Sequence, residues 1–206
     1  MNLNKAAMFG LDARIALAIF GALSVISGAA LYSAIQAAKV EQHRQNFVEL
    51  VKASEQYFLD NGKTIPLDSA DPQFLQIGDL IDNRESLSTW NGPYIQGTLN
   101  NTHSISTQAS DIFSFSTYTL LVQLESNTWA SHTTRYYCSP GNINCSQYVA
   151  ISNSGSSSNN AKLLDVFNKL DASIDNSDGK AAGTVRYVDH TGGFDWLLYK
   201  GMPDKK

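Results

Sequence analysis

The sequence predicts an α+β protein in which one long N-terminal helix packs on a small antiparallel β-sheet head. Two observations predict this fold class. Residues 15–38 contain no charged side chain, and no proline interrupts residues 11–61, so a single helix can extend through both ranges. Beyond residue 62, short alternating and β-branched runs replace the helical pattern. The first half of the helix is apolar on every side, and the second half is amphipathic.

The charge-free segment is long enough to cross a membrane as a helix. It spans 24 residues from Ile15 to Ala38, and about 20 apolar residues cover a hydrocarbon core about 30 Å thick. Its length argues against a secretory signal, whose apolar core is usually shorter. Periodicity alone leaves three fates open: removal as a signal, retention as an ordinary anchor, or cleavage after Gly10 that makes the apolar helix the new N-terminus.

The amphipathic continuation predicts where the helix meets the head. Phe47, Val51 and Phe58 fall on one stripe together with the small Ser54, at spacings of three to four residues. The Asn-Gly pair at 61–62 predicts the end of the helix. The predicted organisation of the chain therefore has four segments: a leader at 1–10, a membrane-spanning or filament-core helix at 11–38, an amphipathic half of the same helix at 39–61 and a head at 62–206.

The head is predicted to be mixed. Residues 112–124 alternate most clearly and predict a strand, whereas residues 67–112 are expected to be irregular. A Ser/Asn/Gly run at 152–160 predicts a loop, and helical spacing returns at 161–174. Four further short strands are predicted at 133–137, 148–151, 184–188 and 196–199.

The net charge argues against a nucleic-acid surface, and the two cysteines indicate that the head lies outside the cytoplasm. The chain has a formal charge of −4. Beyond Lys39 it carries 12 basic and 18 acidic residues, which gives −6 and argues against a nucleic-acid surface. Cys138 and Cys145 are close in sequence, and in an exported chain such a pair predicts a disulfide. We therefore expect a single-pass membrane protein with a cytoplasmic N-terminus and a head outside the cytoplasm.

Three sequence elements carry a resemblance to a known family. Phe9-Gly10 precedes the apolar helix, the segment YFLDNGKTIP at 57–66 ends the helix with a polar glycine turn, and WNGPY occupies 90–94. In this order they resemble the type IV pilin and type II secretion pseudopilin superfamily. The resemblance covers residues 1–94 and implies a bacterial protein that is processed, held in the inner membrane and assembled through its N-terminal helix into a surface or periplasmic filament.

The resemblance also implies site residues and partners. A prepilin peptidase would cut after Gly10 and leave Leu11 as the first mature residue. Other pilin or pseudopilin subunits and membrane lipid would be the partners of the helix, and small residues such as Gly21 and Gly28 would allow close packing. The disulfide loop and the 90–94 loop would supply contacts between heads, the latter through Trp90, Gly92, Pro93 and Tyr94.

One position departs from the family pattern. Most members carry a Glu at the fifth mature position, where it is thought to pair with the N-terminal amine of a neighbouring subunit. This chain has Ile15 there, and its nearest acid is Asp12. Some minor, tip-located pseudopilins also lack the Glu. We therefore expect a minor subunit rather than the abundant one.

An acidic segment near the C-terminus suggests a calcium site. Asp171, Asp175 and Asp178 precede Gly179, and oxygen ligands from a glycine-containing loop suit that ion. Some pseudopilins hold calcium in a C-terminal loop, although the spacing here does not fit an EF-hand. We expect a solvated helix end without a metal or cofactor, and a calcium site at Asp175 and Asp178 is the alternative.

The sequence does not predict an enzyme. Asp189-His190 lies in a serine-rich chain, but neither a Gly-x-Ser-x-Gly nor a Ser-x-x-Lys motif marks a nucleophile. The expected function is structural, as a subunit of a type IV pilus or type II secretion pseudopilus. The alternatives are a membrane-anchored periplasmic binding or adhesin domain that does not polymerise, and a secreted soluble protein.

Overall fold

The computed structural model describes residues 3–106, 117–133, 135–138, 144–153, 157–190 and 193–203. The chain divides into two compact units, Met1–Gln42 and His43–Lys206. Helix α1 extends from Leu3 to Asn61 and belongs to both units. The prediction of one uninterrupted helix is confirmed, and the helix begins within the predicted leader.

The end of α1 follows from its last residues. Gly62 adopts a positive φ of 66°, a conformation that glycine reaches without a steric penalty. Its N–H donates to the carbonyl oxygen of Phe58 at 2.8 Å, and the side-chain amide of Asn61 donates to Tyr57 O at 2.9 Å. These bonds satisfy carbonyls that the last helical turn leaves open.

The head contains a six-stranded antiparallel sheet and a second helix, so the α+β class is confirmed. The strand order is β1-β2-β3-β4-β6-β5, and each neighbouring pair is antiparallel. A short 3₁₀ helix lies at Ile77–Leu80, and α2 extends over Ser157–Ile174. The strands are β1 Thr98–Asn101, β2 Ser104–Ser106, β3 Thr117–Glu125, β4 Cys145–Asn153, β5 Val185–Val188 and β6 Trp196–Pro203.

One face of the sheet is covered by helices. Phe47 of α1 stacks on Tyr199 of β6, with ring centroids 5.3 Å apart and planes 8° apart. Val51 of α1 packs against Gly201 of β6, because a Cβ added to Gly201 would lie 3.2 Å from Val51 Cγ2. Helix α2 packs on the same face of the sheet, where the ring centroids of its Phe167 and of Tyr187 on β5 lie 5.4 Å apart. The amphipathic half of α1 therefore contacts β6 through Phe47 and Val51 of the predicted stripe, whereas Tyr57, and not Phe58, is the fully buried aromatic near its end.

An aromatic layer covers the opposite face. Phe74 and Trp129 pack over the middle of the sheet, against side chains such as Val122, Tyr148 and Leu198. As a result, all nine residues of β4 are buried. A strand with two buried faces does not alternate in polarity, and this one also buries Ser146, Gln147, Ser152 and Asn153.

Several predicted boundaries differ from the structure. Strands β1 and β2 lie in a stretch predicted to be irregular, because their polar sequences TLNN and SIS lack an apolar alternation. Strand β4 is longer than 148–151, β6 extends past 196–199, and α2 begins at Ser157 inside the predicted loop 152–160. The predicted strand 133–137 is wrong where it is described, and only a single bridge joins Tyr137 to Leu124. Residues 112–116 of the predicted strand 112–124 lie outside the described residues.

A buried arginine fastens the aromatic layer to the sheet. Arg186 on β5 is only 2 % exposed, and its guanidinium carbon lies 4.5 Å from the ring centroid of Trp129. Its Nη1 donates to Asn127 O and its Nη2 to Ser126 O, both at 2.8 Å. Burial lowers the pKa of Arg186. Carbonyl oxygens, rather than a carboxylate, satisfy this buried cation.

We predict that Arg186→Met destabilises the head by about 2–4 kcal/mol, because it removes the hydrogen bonds of the buried guanidinium to Ser126 O and Asn127 O and its contact with the ring of Trp129. Urea unfolding of the full chain in detergent, followed by tryptophan fluorescence, measures this change. Lys169→Met is the control, since it removes an exposed helix ion pair with Asp165 and should cost less than about 0.5 kcal/mol. Equal unfolding midpoints for the two variants would contradict the role of Arg186.

Candidate functional site

The apolar part of α1 presents large side chains that its own unit does not cover. Leu17, Phe20 and Val25 are 70–74 % exposed. Within the described residues, α1 is the one helix long and apolar enough to cross a membrane. An exposed apolar surface of this length needs lipid or protein to cover it.

Two serine side chains in this segment donate hydrogen bonds within the helix. Ser24 Oγ donates to Phe20 O at 2.8 Å, and Ser33 Oγ donates to Ala30 O at 2.9 Å. Neither hydroxyl therefore requires water, which is the condition for a helix in hydrocarbon. Ile15, at the position where the family resemblance implies a Glu, is 52 % exposed.

The small residues predicted for processing and packing lie open on the same helix. A Cβ built on Gly10, Gly21 or Gly28 meets no heavy atom within 4 Å. Their identity is therefore not required by contacts inside the described chain. Leu11, the predicted first mature residue, also lies in α1.

The 90–94 loop braces the C-terminal end of α1. Trp90 Nε1 donates to Asp79 O at 2.9 Å, and Tyr94 N donates to Leu80 O at 2.8 Å. The ring of Tyr94 lies edge-on between two others, 5.7 Å from Trp90 and 5.8 Å from Tyr57 of α1. We call residues 90–94 the brace loop.

Glycine is required in the middle of the brace loop. A Cβ on Gly92 would lie 2.6 Å from Trp90 Cζ2 and 2.9 Å from Tyr94 Cδ2. The Gly92-Pro93 peptide is cis, and Pro93 is exposed. Trp90 and Tyr94, predicted as contacts between heads, are half-buried against their own chain. This intramolecular role was missed from the sequence, because it depends on Asp79 and Tyr57 lying next to the loop.

A buried carboxyl group lies beneath the brace loop. Asp79 is 1 % exposed, and neither of its carboxylate oxygens has a hydrogen-bond partner among the described residues. Burial, reinforced by the charge of Glu85, raises its pKa to about 6, although Arg84 and Lys63 oppose the shift. Burial and the nearby Asp79 also raise the pKa of Tyr57 to about 12.

Cys138 and Cys145 form a disulfide, with their Cα atoms 6.1 Å apart. Cys145 is the first residue of β4, and Cys138 N donates to Gln123 O of β3 at 3.3 Å. The disulfide therefore links the segment at 135–138 to the start of strand β4, beside β3. Residues 139–143 of the disulfide loop, which were predicted to contact other heads, lie outside the described residues.

Three candidate calcium ligands converge at the end of α2. One carboxylate oxygen from each of Asp171, Asp175 and Asp178 lies within 4.8 Å of the others. Asp171 is 4 % exposed, and its Oδ1 has no hydrogen-bond partner among the described residues. Burial is the main cause that raises the pKa of Asp171. A cluster of hard oxygen donors that includes a buried, unpartnered oxygen fits a divalent cation such as calcium.

The backbone around this cluster is tightly turned. Asp175 Oδ2 accepts hydrogen bonds from Thr184 N at 2.8 Å and Val185 N at 2.6 Å. Gly183 has a φ of 69°, and a Cβ there would lie 2.6 Å from oxygens of both Asp175 and Asp178. The loop therefore holds the carboxylates close together and leaves no room for a side chain at Gly183.

Asp189, which precedes His190, lies beside a lysine and a histidine. Asp189 Oδ2 lies 2.7 Å from Lys180 Nζ and 3.2 Å from His132 Nε2, so its carboxylate belongs to an ion-pair cluster.

No protein-family model, curated protein or solved structure matches this chain.

We predict that the stability of the head falls as the pH rises from about 4 to about 6. The folded pKa of Asp79, about 6, lies above its ordinary value of 3.8, so the folded state binds more protons in this window. Asp79→Asn should remove the share of this dependence that Asp79 causes and stabilise the head at pH 7 by about 2–3 kcal/mol. Buried Asp171, whose pKa is also raised, keeps its own share. Urea unfolding at several pH values measures the effect.

The control for this prediction is Asp82→Asn, an exposed acid two residues after the 3₁₀ helix. This variant should keep the pH profile of the parent chain. An Asp79→Asn profile that matches the parent between pH 4 and 7 would contradict the assignment to Asp79.

Proposed function

We propose that this chain is a structural subunit, minor in abundance, of a type IV pilus or type II secretion pseudopilus. The observation that carries the proposal is a single exposed apolar helix that continues directly into a head-packed segment. The brace loop adds support, because it fastens the end of that segment to the rest of the head through Tyr57 and Asn61.

The proposed mechanism is mechanical. A prepilin peptidase removes residues 1–10 while the helix is in the inner membrane. The apolar helix then leaves lipid for a bundle of neighbouring helices, and both environments are apolar. Close packing must therefore favour assembly, and the open surfaces at Gly21 and Gly28 permit it.

The minor role follows from the missing acid. A Glu at position 15 would gain from pairing with an amine in a low-dielectric membrane, and Ile15 gains only apolar contact. Subunits of this type would enter a filament next to others that supply the charge pair. We therefore place this chain at low copy number, with other pilin or pseudopilin subunits as its partners.

We predict that Gly10→Leu blocks processing in cells that express a prepilin peptidase. Intact-mass measurement of the purified protein should show the parent without residues 1–10, and the variant with them. N-terminal sequencing of the parent should begin at Leu11. Identical masses with and without the peptidase would overturn the cleavage.

Gly21→Leu is the matched control, because it makes the same substitution eleven residues further along the same helix. It should be processed like the parent, but the larger side chain should reduce its recovery in sheared filaments. If this variant enters filaments as well as the parent does, packing at Gly21 is not part of assembly.

The second candidate is a membrane-anchored periplasmic binding or adhesin domain that does not polymerise. A cleft on the head, described in the next subsection, favours it. The two candidates differ in processing and in assembly. An anchored domain would keep its original N-terminus and stay in the membrane fraction after filaments are sheared from cells.

We also propose that Asp171, Asp175 and Asp178 hold a calcium ion through carboxylate oxygens. The unpartnered Oδ1 of buried Asp171 supports this proposal. Three carboxylates at this separation repel one another, and a divalent cation offsets that repulsion. The ion would fix the loop between α2 and β5, which packs near the edge of the sheet.

Calcium should raise the unfolding temperature of the full chain by about 5 °C when it exceeds its Kd about 100-fold. Magnesium chloride at the same ionic strength should give a smaller shift, since that ion demands near-octahedral geometry. Asp178→Asn should abolish the calcium shift, and Asp165→Asn, on α2 but outside the cluster, should retain it. Equal shifts with both ions would refute a calcium site.

A further inference from the structure

A cleft of about 410 Å³ opens on the face of the sheet opposite the helices. Small-molecule sites usually measure about 300–1,000 Å³. The floor is apolar and consists of Leu120, Phe74 and Trp196, which are all buried. The rim is polar and includes amide side chains. A concave apolar floor with a few polar groups around it is the usual form of a ligand site.

Arg135 provides a fixed positive charge in this cleft. Its guanidinium carbon lies 3.8 Å from the ring centroid of Trp196, and its Nη2 donates to Phe194 O at 3.3 Å. A guanidinium that is already held on an aromatic face loses little freedom when it binds a ligand. Its planar donors match the two oxygens of a carboxylate.

Arg135 is the permanently charged side chain among the described residues that line the cleft, and no carboxylate is among them. Two carboxylates lie directly behind the lining: Asp68 Oδ2 is 3.4 Å from His103 Nδ1, and Asp195 Oδ1 accepts from His190 N at 3.0 Å. No ion pair to Arg135 is found within the part of the chain that the structure describes. A charge on such a site attracts an anionic ligand group and favours it over a neutral one.

His103 is held between the floor of the cleft and a carboxylate behind it. Its ring stacks on Phe74 at 4.7 Å, and its Nδ1 lies 3.4 Å from Asp68 Oδ2. A hydrogen bond from Thr102 is the main cause that lowers the pKa of Asp68 to about 2, so this carboxylate stays ionised. His103 therefore contacts both the apolar floor of the cleft and the Asp68 carboxylate.

The rest of the rim matches a polyhydroxylated ring. Asn100 and Asn101 line the cleft. Asn101 Oδ1 accepts from Ser104 Oγ at 2.7 Å and from His103 N at 3.1 Å, and Asn100 Nδ2 donates to Ser104 Oγ at 3.4 Å, so both amides are held in place. The Asn101 amide can then donate to a sugar hydroxyl, and the Asn100 side-chain oxygen can accept from one. Phe194 is 47 % exposed, so an aromatic face is available to the C–H face of a pyranose. An aromatic face, amides and one fixed guanidinium together suit a sugar that carries an acid group.

We propose that this cleft binds a saccharide bearing a carboxylate, such as a uronic acid unit of a polysaccharide. Arg135 pairs with the carboxylate, Phe194 covers one face of the ring, and the asparagines bond its hydroxyls. The site lies entirely in the head and does not depend on filament assembly, so it can be tested whether or not the chain polymerises.

Isothermal titration of the full chain in detergent tests the proposal with two matched disaccharides. Cellobiouronic acid and cellobiose differ only in a carboxylate that replaces one hydroxymethyl group. Cellobiouronic acid should bind at least about tenfold more tightly, since a charged hydrogen bond is worth about 1.5–3 kcal/mol. Equal affinities, or no binding of either sugar, would overturn the proposal. Binding of benzoate without binding of cellobiouronic acid would overturn the saccharide class.

Two variants separate the roles of charge and ring. Arg135→Gln should weaken cellobiouronic acid about tenfold and leave cellobiose within about twofold. Arg84→Gln, an exposed arginine outside the cleft, is its control and should change neither. Phe194→Ala should weaken both sugars together, and its exposure makes a folding defect easy to exclude by unfolding temperature. Unchanged binding in both Arg135→Gln and Phe194→Ala would show that the sugar binds elsewhere.

Discussion

Strand β4 has no face toward water, and both of its faces need a cover. On one side α1 and α2 supply it, with Phe47 on Tyr199 and Val51 against Gly201. On the other side, the layer around Trp129 supplies it. Arg186 connects that layer to the sheet by donating to backbone carbonyls. The amphipathic half of α1 is thus part of the core of the head, and removing it would expose the central strand.

This arrangement determines how the apolar helix can act. Because α1 is continuous through Asn61, the segment that packs on β6 is the same helix that carries the exposed apolar surface. The brace loop, with Gly92 enclosed by Trp90 and Tyr94, then holds the C-terminal end. A filament subunit needs such a connection, and so does a domain held firmly above a membrane. The distinction between them therefore lies in processing and in contacts with other chains.

Much of the helix could be predicted from sequence, and less of the sheet. The stripe of Phe47 and Val51 identified the buried face of α1, although Tyr57 is more deeply buried than Phe58. The Asn-Gly pair identified the end of α1. Strands β1 and β2 were missed because edge strands with polar sequences show no alternation. The length of β4 was underestimated because its buried Ser146 and Gln147 resemble solvent-facing residues.

The sequence by itself determined the apolar helix, its amphipathic continuation and its end, because each depends on residues within a few turns of one another. The acidic cluster was also visible, since its members follow each other along the chain. Only the tertiary structure decided that Asp79 lies buried beneath the brace loop and that Arg135 rests on Trp196 beside Phe194. These sites join segments far apart in sequence, and the pairing of strands between them fixes which side chains meet.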